Sequence, residues 1–166
     1  LWMVYLSVAG VFLLRYLTNI ARVIIRILGS ERLTEKGIHY VLVDKKEGLP
    51  YSFLSFVFVS KNEFLEGKMS SEVLAHECAH SNQLHTLYIL IVELIKVVFW
   101  FHPMVFLYKR AIQLNHEYLA DNNVLLTWDL NSYQKTLTDF AYQQQSFALV
   151  SNFNYSFTKK RLIMMT

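Results

Sequence analysis

Cysteine is almost missing from this 166-residue chain, and charge is scarce. The one thiol, Cys78, rules out an internal disulfide and fits a reducing compartment. Charged residues make up 17% of the chain, where a soluble domain carries about a quarter. The net charge is only +3 and the basic residues form no long tract, which argues against direct binding of nucleic acid. There is no internal repeat and no low-complexity segment. No basic stretch precedes the first apolar run and no small-residue cleavage site follows it, so a cleaved signal peptide is not expected. The chain opens at Leu1, already inside that run, and is read as an excerpt of a longer multi-pass protein.

What the chain has in excess is apolar surface. Hydrophobic residues reach 54%, and lipid is the natural place for such a surplus. The basic residues gather at Arg15, Arg22 and Arg26, at Lys45 and Lys46, and at Lys159, Lys160 and Arg161. Clusters of this kind beside apolar segments mark the cytoplasmic flanks of membrane helices. Residues 1–14 carry no charge; from Arg15 on, polar and basic positions recur at helical spacing. Residues 1–28 are therefore expected to be the end of a transmembrane helix that leaves the bilayer and runs on as a basic amphipathic stretch, ended by Gly29 and Ser30.

The remainder, 29–166, is expected to form one mainly helical domain with a small β-sheet, of class α+β. Residues 38–44 and 51–60 are β-branched and aromatic and predict two strands, joined through a turn at Gly48, Leu49 and Pro50. Residues 61–69 predict a loop. Ser70 is the expected N-cap, with Glu72 in the first turn, of a long helix over about 71–100. Pro103 suits the first position of a second helix, to about 126. Asn131 or Ser132 is the expected cap of a third, to about 145, and 151–157 predicts a loop before a basic final element. Within the apolar 87–108 segment, Glu93 and Lys96 can pair at i, i+3; a hairpin half buried against the domain and half in contact with membrane is favoured over a full span.

The long helix carries His76-Glu77-Cys78-Ala79-His80, an HExxH pattern. Residues at i and i+4 share a helix face, so both imidazoles can reach one ion, and Glu77 can approach a water on that ion without ligating it. A catalytic zinc takes three protein ligands and an open position. Glu117 and Asp121, again at i, i+4, lie on the helix that a hairpin near Pro103 would fold back. Glu117 is the expected third ligand, and Asp121 the acceptor that orients a ligand imidazole. One Zn²⁺ is the expected cofactor and Glu77 the general base for peptide hydrolysis. His116, Tyr118 and His85 are candidates for contacting the oxyanion or the substrate. Cys78 faces away from the two histidines and is expected in the core, and the strand at 51–60 is an expected platform for an extended peptide.

These segments together resemble the BlaR/MecR family of membrane metallopeptidases, in the versions common in Bacteroidetes-type bacteria. The likeness runs through PYSFLSFVFVS, LAHECAHSNQLH, FWFHP, YKRAIQLNHEYLAD and FNYSFTKKRLIMM. It implies a gluzincin-like zinc domain on the cytoplasmic side of a bacterial inner membrane, with His76, His80 and Glu117 matching the ligands and Glu77 the base. It also implies signal transduction by cleavage of the protein itself or of a cytoplasmic repressor. Two positions depart from the family pattern: His102 stands where Asn is usual, and Tyr88 where Asp is frequent. The competing reading is a signalling or scaffold membrane subunit whose zinc site is not used for proteolysis.

Overall fold

Two short apolar runs, Tyr40-Val41-Leu42 and Val57-Phe58-Val59, are buried on both faces and so show no alternation with polar residues. They form β2 (Ile38–Val43) and β4 (Phe56–Ser60), paired in parallel with Val41 opposite Phe58. In the computed structural model, which describes residues 1–35, 37–44, 50–145 and 151–166, they are the centre of a four-stranded mixed sheet. The antiparallel outer strands are β1 (Glu31–Glu35) and β3 (Tyr51–Phe53), in the order β1-β2-β4-β3. The α+β expectation is borne out.

Side chains leave the sheet alternately. Tyr40, Leu42, Val57 and Val59 face Cys78 of α3 (Ser71–Asn82), while Val41 and Phe58 face Ile27 and Val23 of α1 (Trp2–Gly29). The sheet is thus clamped between the C-terminal end of α1 and the helix that carries HExxH. α1 is one unbroken helix, long and apolar enough to cross a membrane by length and composition, and most of its surface is exposed.

Five elements differ from the sequence expectation. The 51–60 segment is a hairpin, β3 and β4, because Leu54 turns the chain in the left-handed region (φ 51°). β1 lies where no strand was expected: Glu-Arg-Leu-Thr-Glu is fully exposed at a sheet edge and has no apolar face to announce it. The 61–69 stretch includes a short helix, α2 (Lys61–Leu65). The 151–157 loop is instead the start of α7 (Ser151–Met165). The largest correction falls on the long helix, which breaks into α3 and α4 (His85–Val98). Leu84 makes the break with φ 52° and ψ 36°, a conformation that a branched side chain adopts at a cost and that no Gly or Pro signalled. The Gly48-Leu49 turn and the Lys45-Lys46 pair lie outside the described residues.

Other local signals behave as their chemistry requires. Ser70 Oγ accepts the Val73 N–H and caps α3. His102 replaces the usual cap of α5 (Pro103–Leu125) by accepting the Met104 N–H on Nδ1 at 3.3 Å. Asp129, not Asn131 or Ser132, caps α6 (Leu130–Gln145), its carboxylate accepting both of their N–H groups at 3.0 and 3.2 Å. Glu93 pairs with Lys96 at 2.7 Å as its spacing suggested, and also with Lys109 across the α4–α5 hairpin. At the hairpin tip, Tyr5 of α1 donates to the Val98 carbonyl at 2.8 Å and meets Phe101 edge-on. The α4–α5 hairpin therefore extends beside α1 as far as its N-terminal end.

Candidate metal centre

The α3 register puts His76 and His80 one turn apart, and α5 packs across α3 so that Glu117 meets them. The Nε2 atoms of the two imidazoles are 3.1 Å apart. Glu117 Oε2 is 3.5 Å from His76 Nε2, and Oε1 is 3.6 Å from His80 Nε2. Ligand atoms about 2.1 Å from a tetrahedral ion are separated by roughly 3.4 Å, so this triangle has the size of one coordination face. Among the described residues it is the one group of three such side chains able to hold a metal ion.

Charge fits a divalent ion as well. Glu77, Glu117 and Asp121 bring three carboxylates to the centre, and Arg161 brings one permanent positive charge; an M²⁺ would balance the set. Without it, burial lifts the Glu77 carboxyl to about 7, partly offset by His76 and by a hydrogen bond from Ser52 of β3. His80 is held neutral, pushed down to about 3 by burial and by the facing His76, which is the form that ligates metal.

The opposite sides of the imidazoles are fixed too. Tyr133, fully buried on α6, donates its hydroxyl to Asp121 Oδ1 at 2.7 Å and lies 2.9 Å from His76 Nδ1. Asp121, itself fully buried, lies 3.2 Å from that same nitrogen. With both acceptors on Nδ1, a proton is held there, which leaves Nε2 as the nitrogen that would present a lone pair to a metal ion. Burial opposes ionisation of Asp121, but Arg161 and His76 outweigh it and hold its carboxyl down at about 2. Behind His80, its Nδ1 is 2.7 Å from His85 Nδ1, and the His85 ring stacks on His116 with centroids 4.1 Å apart. The break at Leu84 makes this contact, because a continuous helix would carry residue 85 past the turn that bears His80.

Of the candidate site residues, His76, His80 and Glu117 converge, Asp121 sits behind His76, and Glu77 lies beside the group against β3. His85 and His116 stand behind His80 and not in front of it. Tyr118 is half-buried, and among the described residues no hydrogen bond joins it to the centre. A model of the BlaR1 peptidase M56 family matches residues 55–165, two thirds of the chain, including all of these residues.

The chain belongs to the M56 peptidase family.

M56 peptidases are metallopeptidases, and the family together with the apolar α1 points to membrane association. No curated protein matches the chain. In this M56 peptidase the centre also includes residues that the sequence did not single out. Ser52, Tyr133 and Arg161 all touch the centre. Tyr133 carries a weak signal, a lone large aromatic near the start of a polar helix. Arg161 carries none, because it follows two lysines that remain exposed. Tyr133→Phe should lower stability by about 1–3 kcal/mol, since it leaves His76 Nδ1 and Asp121 short of a buried partner; thermal unfolding of the metal-free protein measures it, and an unchanged midpoint would count against the network.

Proposed function

We propose that the chain is the catalytic part of a membrane-bound, zinc-dependent endopeptidase. The convergence of two imidazoles and a carboxylate beside a buried, proton-accepting glutamate carries this reading. A bound zinc would polarise both a water and the scissile carbonyl. Glu77 takes the proton from the attacking water and returns it to the leaving amine. Burial, which raises its carboxyl to about 7, suits it to exchanging a proton near neutral pH. Ser52 holds this carboxylate from the strand below.

β3 is an outer strand next to α3, and an extended peptide added to its free edge would run past Glu77 and the metal ligands. Arg22 and Arg26, at the end of α1 that docks on the sheet, favour a cytoplasmic position for the catalytic unit. The α4–α5 hairpin, with Leu87, Ile91, Leu94, Val98, Phe101 and Phe106 exposed beside α1, suits contact with the acyl chains of the bilayer. Lys96 and Lys109 both pair with Glu93, the arrangement expected of charged groups near lipid. The activity fits a signal transducer of the BlaR/MecR type, acting on itself or on a cytoplasmic repressor.

The full-length protein, purified in detergent, tests the proposal. Elemental analysis should find close to one zinc per chain, and the protein should cleave an unfolded substrate such as reduced casein within the chain. A protein that carries zinc but leaves casein and itself intact would favour a signalling subunit without proteolysis; a protein without the metal would refute both readings.

A further inference from the structure

The guanidinium of Arg161 comes from the C-terminal helix and bridges two carboxylates that lie one turn apart on α5. Its Nε and Nη2 donate to Asp121 Oδ2 and Oδ1 at 2.8 and 2.5 Å, and Nη1 meets Glu117 Oε2 at 2.9 Å. Nη2 also reaches the Tyr133 hydroxyl at 3.4 Å. The side chain is nearly buried, whereas its neighbours Lys159 and Lys160 are exposed. One planar group thus touches the carboxylate that faces the metal position and both partners that fix the His76 ring.

We infer that Arg161 is the positioning residue of the metal centre, setting the pose in which Glu117 keeps Oε2, the oxygen that Arg161 holds, at His76 and presents Oε1 to His80. This rests on the metallopeptidase reading above. Glu117 needs such a device. Its side chain is partly exposed, has several rotamers, and lies one turn from a second buried carboxylate that repels it. A lysine could supply the charge but not the fork, which fixes direction as well as attraction. All three guanidinium nitrogens are engaged by Asp121, Glu117 and Tyr133, so the role inferred is exerted through these groups and is not that of a catalytic residue.

The inference separates cleanly from a purely electrostatic role. A cation beside a divalent ion repels it, so if charge were the whole effect, removing Arg161 would tighten zinc binding. If position dominates, removal loosens it by about 10- to 100-fold, the range for residues that orient ligands. Zinc affinity of the full-length protein in detergent, measured by competition with a chromophoric chelator, decides between them. Arg161→Ala should bind zinc about 10- to 100-fold more weakly, and added guanidinium ion should restore part of the loss. Lys160→Ala, one residue away and exposed, should bind as the parent does. Should Arg161→Ala fail to fold, Arg161→Lys carries the test, and weakened binding in a folded protein supports the role. Unchanged or tighter zinc binding in either folded variant overturns the inference while leaving the metallopeptidase reading intact; a parent protein that binds no zinc overturns both.

Discussion

Glu77→Gln is expected to reduce peptide cleavage by about 10²- to 10⁴-fold, the usual contribution of a general base, and to leave zinc content near one per chain. The split follows from where the side chain sits. Glu77 is outside the trio whose atoms converge on the metal position, and its carboxylate rests between α3 and Ser52 of β3. Burial already favours an uncharged side chain there, raising the acid to about 7. An amide of the same shape is therefore accommodated, Ser52 keeps a partner, and the fold should unfold at a similar temperature. What the amide cannot do is accept a proton from water. Casein cleavage and elemental analysis on one preparation give both halves of the result. Cleavage at the parent rate would remove Glu77 from the chemistry, and simultaneous loss of zinc would mean that the carboxylate ligates the ion.

Glu117→Gln should act in the opposite sense, weakening zinc binding by more than about 100-fold, beyond the range seen when only an orienting residue is lost. The substitution removes the negative charge of the trio and leaves Asp121 as the carboxylate partner of Arg161. Burial works against the ionised Glu117, yet His76 and Arg161 outweigh it and hold the carboxyl down at about 2. It is therefore ionised over any pH at which the protein is handled, and the loss should not be recovered by raising the pH. Chelator competition gives the magnitude. A parent-like affinity would place the third ligand elsewhere.

The convergence of His76, His80 and Glu117 was legible in the sequence, and the groups that support them were not. His76, His80, Glu117 and Asp121 announce themselves because helical periodicity converts spacing directly into direction. Which helix faces meet is a matter of packing, and there the apolar hairpin with Pro103 at its turn was an adequate guide. Tyr133 and Arg161 approach from helices whose docking no local pattern encodes, and Arg161 resembles its lysine neighbours in everything but burial. The break at Leu84 was hidden for a related reason. Leucine is a strong helix former, so tertiary packing, which brings His85 behind His80, overrode propensity at that residue. β1 was missed because an exposed edge strand has no buried face to pattern. The resemblance to the BlaR/MecR family covered the segments that local rules read poorly, and family membership bears it out.

The groups around the candidate metal position come from β3, α3, α5, α6 and α7, so the centre draws on side chains spread from Ser52 to Arg161. A ribosome delivers His76 and His80 before Tyr133, and Arg161 later still. During synthesis the two histidines are already available while the tyrosine and arginine that orient their surroundings do not yet exist. The set of side chains around the two histidines is therefore complete only once α7 has emerged and docked on α5.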